Sequence, residues 1–515
     1  MKNINLLIFV LAIGCTLGFY SCKKDIEINQ TYYEAVVPAK EDLNAGNWKV
    51  AVLSKPEDIV IDAPLDPTSP EYLAELAEAK SMNASVTDKQ KEAIKYWAAG
   101  GVIRWNQIMR QLVAKYNLPP VEGIDGKYPV PQSNNPLAYP NFPFANPPYA
   151  ARAYAYFSVA VYDALVATNY HRVTTPRKAP YAFDSSINPL VYKSELSSYP
   201  SEDAVVASVA LEMLTLLFPG EVPYLTDLAN EQKNTRLWAG ANVRSDIAAG
   251  EALAKLVVAK IKIRAKDGMA FANGNPTIHD SIPKAIEAQG LLPWISLESP
   301  ARPSMLIKYG DVKTWLMDKA GMIAIRPAVP PAANSDEVKA QIQELKDVLA
   351  KKDRDQIAIC HYWADGVGTY TPPGHWNYVA TDLIYNAKMS EVRVARTYAL
   401  LNMAMMDAGI SCWDTKSFYF YPRPSQVDPE IKTFTGVPNF PAYTSGHSTF
   451  SGAASRILSH LFPANASQLD AKAIEASESR IYGGIHFRMD CEVGLAVGHK
   501  IGDLAIARAA TDGAD

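Results

Sequence analysis

The sequence predicts an all-α protein made of packed helix bundles, and three observations carry that expectation. From about residue 71 onward, apolar residues recur at helical rather than strand spacing. No stretch alternates apolar and polar residues as a half-buried strand would, and no repeat or low-complexity tract interrupts the pattern. The segment Ala150–Ala167 is apolar nearly all round, the mark of a helix buried on every side. Composition agrees: 48% of the 515 residues are apolar and 20% charged, enough to bury a large core. With 50 Lys and Arg against 54 Asp and Glu, the net charge is −4. That excludes a broad basic field for nucleic acid and leaves room only for a local cluster of cations around an anion.

The elements follow in order. Lys2 begins a short positive region, Ile4 to Phe19 is almost wholly apolar, and Ser21-Cys22 precedes the polar run Lys23-Lys24-Asp25. The apolar run is too short for a comfortable transmembrane helix. Residues 1–21 resemble a bacterial lipoprotein signal peptide, whose removal makes Cys22 the lipidated first residue; a plain secretory signal cut nearby is the alternative. The expected address is the outer membrane of a Gram-negative cell, on its periplasmic or surface face, with the lipid anchor as the membrane contact. No second stretch reaches about 18 continuous apolar residues. Of the five cysteines, Cys360, Cys412 and Cys491 remain beyond Cys22, an odd number that leaves at least one thiol unpaired. No cysteine pair has zinc-ligand spacing.

Residues 22–85 read as an N-terminal spacer, polar and proline-bearing (Pro56, Pro64, Pro67, Pro70), with at most short strands before the helical pattern sets in. Residues 86–334 read as an N-terminal helical region. Asp88 is placed to cap a helix through Lys91, Ile94 and Trp97, interrupted near Gly100-Gly101. Further helices are expected over 150–167, 201–218, 223–238 and 246–266, the last with Ile247, Leu253, Val257 and Ile261 on or near one face. The proline-rich stretch 326–334 breaks the chain, and residues 335–515 read as the catalytic helical domain. Ser335 is placed to cap a helix with Asp336 and Glu337 in its first turn. Ser390 is placed to cap another through Val392, Val394, Leu400 and Met403. Met403, Met405 and Met406 read as core filler.

Three blocks in the last hundred positions carry chemistry. Lys416 and Arg423-Pro424 form the first, Ser445-Gly446-His447 the second, and Ser479-Arg480 with His486 and Asp490 the third. Lys416, Arg423 and Arg480 are suited to the charged oxygens of a tetrahedral oxyanion, arginine through a planar fork and lysine as a compact charge. Ser445 and Gly446 precede Phe450, Ala454, Ile457, Leu458 and Leu461 at helical spacing, so they sit at or near a helix N-terminus that attracts anions. His486 and Asp490 are four apart, on one face if the segment is helical. The carboxylate then fixes the imidazole tautomer and leaves the other nitrogen to attack or ligate the central atom, with His447 opposite as acid/base.

These blocks resemble the signature of the type 2 phosphatidic acid phosphatase (PAP2) and vanadium-dependent haloperoxidase superfamily, with Thr444 where the family most often has proline. The segments Tyr362–Gly366, Thr371–Asn377 and Phe440–Tyr443 are similar to those of the soluble haloperoxidases. The resemblance implies an all-α helix-bundle fold of the superfamily type and vanadate as cofactor. It makes His486 the vanadium ligand, with Lys416, Arg423, Arg480, Ser445 and Gly446 around the oxygens. His447 handles the proton of water or peroxide, and Asp365 orients His447. The substrates implied are hydrogen peroxide and a halide, iodide or bromide.

The alternative within the superfamily is an acid phosphatase without vanadate, in which His486 becomes the phosphohistidine nucleophile, Asp490 supports it and His447 protonates the leaving alcohol of a phosphomonoester. Phe440 reads as a buried aromatic or the lining of a halide pocket, and His375 and Trp376 as structural support. A more distant alternative, a glycan-binding surface lipoprotein, explains the anchor, nine Trp and 27 Tyr but not the three blocks. A homo-oligomer is left open.

Overall fold

Short polar side chains start the principal helices. Ser69, Asn146, Ser201, Ser335 and Ser390 each accept the backbone N–H three residues on, satisfying one of the donors a helix start leaves unpaired. The computed structural model describes residues 33–118, 146–266, 272–299 and 301–514, and every regular element among them is a helix. The proposed signal segment and Cys22 lie outside the described residues. At the helix expected to be capped by Asp88, the cap is Thr87. Its hydroxyl and the Gln90 side chain form a reciprocal capping box, leaving Asp88 in the first turn.

The longer helices are α1 (Pro70–Ala84), α2 (Asp88–Trp97), α3 (Gly101–Tyr116), α4 (Pro147–Thr174), α5 (Glu202–Leu217), α6 (Val222–Trp238), α7 (Arg244–Lys266) and α8 (Pro276–Glu287). After the proline-rich break come α9 (Asp336–Lys351), α10 (Arg354–Tyr362), α11 (Thr371–Asn386), α12 (Glu391–Tyr419), α13 (Gly446–Leu461), α14 (Ala466–Tyr482) and α15 (Arg488–Ala509). The described residues from Ala35 onward form one compact unit. The buried helix expected at 150–167 is the middle of α4, which packs along α12. Helices on both sides of residue 334 therefore share one core.

The segment read as a spacer contains α1, and its residues 35–69 lie against the helices without forming a strand. The buried carboxylate of Asp163 on α4 accepts the N–H groups of Ala51, Val52 and Leu53 at 2.7, 2.7 and 3.0 Å. Trp48 is buried, and Lys49 N–H reaches the Asp512 carbonyl at 2.8 Å. Backbone groups satisfied by one buried carboxylate do the work that a sheet ladder would otherwise do.

The site is positioned by the pairing of α13 with α15. A Cβ added to Gly498 would lie 2.4 Å from the Thr449 carbonyl oxygen, and one on Gly494 would lie 2.9 Å from Ser448 Cβ. Only glycine lets the two backbones approach this closely. Their N-termini are tied as well, by Ser445 N–H donating to the Asp490 carbonyl at 2.9 Å. Val338, Ile342 and Leu345 of α9 pack over Tyr421, Tyr443 and Phe487, covering the connecting loops from outside.

Candidate active site

Lys416 lies in the last turn of α12, just before Phe420 ends the helix in a left-handed conformation (φ 45°). Its buried Nζ donates to the Pro441 and Ala442 carbonyls at 2.6 and 2.8 Å. Arg423, completely buried, donates from Nε to the Phe440 carbonyl at 3.0 Å and from Nη1 to the Ile485 carbonyl at 2.9 Å. The 440–442 backbone thus orients both cations with neutral carbonyls. The Phe440 ring packs beneath them, 5.2 Å from Lys416 Nζ and 5.1 Å from Arg423 Cζ, with Trp413 at 5.0 Å. Arg480, on α14, donates to the Cys360 and Trp363 carbonyls at 3.2 and 3.0 Å. Among the described residues, none of these three cations has a carboxylate oxygen within 4.0 Å of a charged nitrogen.

Ser445 is the N-cap of α13, its hydroxyl accepting from Ser448 N–H at 3.3 Å, and Gly446 and His447 open the helix. A Cβ on Gly446 would meet nothing nearer than the Trp413 ring at 3.7 Å. No protein atom demands glycine there, and the space it leaves adjoins the free N–H groups of the helix start.

His486 and Asp490 do pair, but not across a helix face. His486 lies in the turn before α15 and Asp490 in its first turn. One carboxylate oxygen, Oδ2, accepts from His486 Nδ1 at 2.9 Å and from Phe487 N–H at 3.0 Å. This fixes the proton on Nδ1 and leaves the Nε2 lone pair facing Arg423 Nη1 at 2.9 Å.

The electrostatics state what the site lacks. Burial, reinforced by Arg423, Lys416 and Arg480, holds His486 well below the usual imidazole range. Burial and then Arg480 do the same to His447. Burial pushes Lys416 down to about 7, with the Arg423 charge adding to it, and Arg423 down to about 10. Burial also raises the Asp490 carboxyl, opposed by Lys416 and by the Phe487 N–H. Arg423 Nη2 and His447 Nε2 are buried with no hydrogen-bond partner. A buried donor such as Arg423 Nη2 and charges without a counter-charge are expensive, so this set fits an oxyanion and would repel a bare metal cation.

The structure therefore brings together Lys416, Arg423, Ser445, Gly446, His447, Arg480, His486 and Asp490. Asp365 is the exception. It was expected on His447, but its carboxylate meets His375 Nδ1 at 3.0 and 3.1 Å. Asp365 has φ 45°, and His375 is held by stacking on Trp363 at 4.2 Å and by the Tyr362 hydroxyl at 3.2 Å from Nε2. The turn that redirects Asp365 leaves His447 beside the Trp363 and Ala364 backbone instead. The carbonyls of residues 440–442 were not foreseen as supports, because backbone groups leave no residue signature.

Among the described residues, two helix N-termini, three cations without a carboxylate and an Asp-held imidazole converge on one buried point. Comparison with known proteins is consistent with this arrangement. Residues 397–508 match the model of the PAP2 superfamily. The vanadium chloroperoxidase of Curvularia inaequalis is 25% identical over 377 residues, 60% of this chain; the match spans 60% of that relative's length. A bacterial vanadium-dependent iodoperoxidase structure is similar at 25% identity and TM-score 0.56, covering 70% of this chain and 91% of the other. An apo bacterial vanadium-dependent chloroperoxidase shares the fold at 15% identity and TM-score 0.50, covering 70% and 93%. Residues 397–508 thus carry the PAP2 superfamily match, and the chain is similar in sequence and in fold to vanadium haloperoxidases.

Proposed function

We propose that this protein is a vanadate-dependent haloperoxidase that oxidises iodide or bromide with hydrogen peroxide. The observation that carries the reading is the trio of buried cations without carboxylates around a neutral imidazole whose Nε2 lone pair points at one of them, Arg423. The two relatives at 25% identity, described as a chloroperoxidase and an iodoperoxidase, favour peroxide chemistry over hydrolysis.

Lys416, Arg423, Arg480, the Ser445 hydroxyl and the Gly446 N–H would hold the oxygens of vanadate, with His486 Nε2 as its ligand. Bound there, vanadate supplies a Lewis-acidic centre at which peroxide is activated towards a halide. Asp490 keeps the His486 proton on Nδ1, so that Nε2 stays a donor of its lone pair throughout. His447, neutral because burial and Arg480 depress its pKa, accepts a proton from peroxide at Nε2 and returns it to the departing oxygen. Phe440 and Trp413 keep bulk water from the Lys416 and Arg423 side.

A PAP2-type phosphatase is the second reading, because an imidazole backed by Asp490 is also the arrangement a phosphoryl-accepting nucleophile needs. The full-length protein, loaded with vanadate, is expected to oxidise iodide and bromide with peroxide. Phosphomonoester hydrolysis that vanadate inhibits, with no halide oxidation, would replace the first reading by the second. Attachment to the outer membrane through Cys22 is likewise our proposal, resting on residues 1–25 alone. Radiolabelled palmitate incorporation that disappears in Cys22→Ala tests it.

A further inference from the structure

At the far end of α12 from Lys416, about 37 Å away along the helix, lies a second feature with its own unmet chemistry. It is a cavity of about 470 Å³ between α2, α5 and the start of α12, closed on one side by residues 35–38 and 189–192. That volume is within the range of small-molecule sites.

Its charged lining consists of four carboxylates against two arginines. The arginines are already engaged, Arg172 with Glu202 and Arg236 with Asp203 at 3.0 Å. Glu41 and Glu391 make no ion pair among the described residues. Glu41 accepts from the Ser194 hydroxyl at 2.8 Å and the Glu195 N–H at 3.0 Å. Glu391 Oε2 accepts from Val102 N–H at 2.8 Å, in the first turn of α3. Its Oε1 lies over Gly100, 2.8 Å from where a Cβ would stand, and Gly100 has φ 118°. The glycine therefore keeps open the space this oxygen occupies.

Asn169 supplies an independent sign. It lines the same cavity, is 1% exposed, and uses Nδ2 on the Leu165 carbonyl at 2.8 Å, while its Oδ1 is buried without any partner. Both the excess carboxylates and the orphaned amide oxygen are acceptors. Burial, with the charge of Glu202 next, raises the Glu391 carboxyl to about 8, a shift that a neighbouring positive charge would reverse. The remaining walls include the Trp97 ring and Val191, suited to an apolar body.

We infer that this cavity binds a small organic ammonium ion, its N–H donors on Glu391 and Asn169 and its carbon body against Trp97 and Val191. The site is separate from the oxyanion site and holds whether or not the halide reading does.

Calorimetric titration of the full-length protein with butylammonium tests it, with butyrate and butan-1-ol as anionic and neutral probes of equal length. Saturable 1:1 binding of butylammonium alone is expected. Glu391→Gln, which retains an acceptor for Val102 N–H, should weaken it about tenfold. Val191→Lys, at a half-buried loop position, places a rival ammonium at the rim and should weaken it at least as much. Halide oxidation should be unchanged in both variants. Equal binding of all three probes, no binding of butylammonium, or unaltered affinity in both variants would overturn the inference.

Discussion

Arg396 and Arg423 are both buried in the same helical unit and are satisfied in opposite ways. Arg396 sets its fork on Asp512, Nε and Nη2 reaching the two carboxylate oxygens at 2.7 and 3.0 Å. The pair ties α12 to the C-terminus. Arg423 meets two carbonyls and an imidazole, and its Nη2 meets nothing. Lys416 and Arg480 repeat the second pattern. Other charges are closed internally, Asp414 by Arg326 and Asp163 by three backbone N–H groups, while the buried Arg110 is met by the side chains of Asn106 and Thr381. The contrast teaches that burial alone does not mark a functional cation. Burial without a counter-charge, repeated by three cations clustered around one imidazole, does.

The largest effect should come from the group on which that unpaired set converges. His486→Ala is expected to lower halide oxidation by at least about 10³-fold, measured as initial rate, because no other side chain offers a lone pair at that point. The arginine comparison is next. Arg396→Ala strands Asp512 and should destabilise the protein by about 3–5 kcal/mol in urea unfolding, with or without vanadate. Arg423→Met strands no carboxylate and removes only donors to the Phe440 and Ile485 carbonyls, so the vanadate-free protein should lose less stability than Arg396→Ala does. It should also lose the roughly 2.7 kcal/mol that vanadate at a hundred times its Kd confers on the wild type. Equal losses in the two variants would erase the distinction.

Gly498→Ala should cost about 1–3 kcal/mol and misplace the two helix starts, lowering both the unfolding midpoint and the rate. Smallest per unit is the acid dependence. His447 and His486 have folded pKa values below their unfolded ones, so the unfolded chain binds more protons as pH falls through about 6.5. Stability of the vanadate-free protein should therefore drop below that pH, by up to about 1.4 kcal/mol per unit for each imidazole. Vanadate should flatten only the His447 part of the slope, by favouring its charged form, because a ligating His486 Nε2 cannot take the proton.

The convergence of most of the candidate site's residues was legible because they are rare types at fixed spacings, and because Ser445-Gly446 precedes a helical apolar pattern. The partner of Asp365 was not, since a turn at positive φ decides which of two histidines a carboxylate reaches. Nor was the geometry of His486 and Asp490, where a spacing of four proved to be a loop residue held by a capping carboxylate. Residues 35–69 lacked helical and strand periodicity and so read as spacer, yet a single buried aspartate holds part of them in place. One available signal was not used: Gly494, Gly498 and Gly502 recur every four residues, marking the face of α15 on which α13 lies.

The central claim is that the unpaired buried cations exist to hold an oxyanion. Its most direct test is calorimetric titration of vanadate into the full-length wild-type protein and into Arg423→Met. We predict one saturable site in the wild type, displaced by phosphate and weakened at least about a hundredfold in the variant. No vanadate binding by the wild type, or equal affinity in the two proteins, would contradict the account.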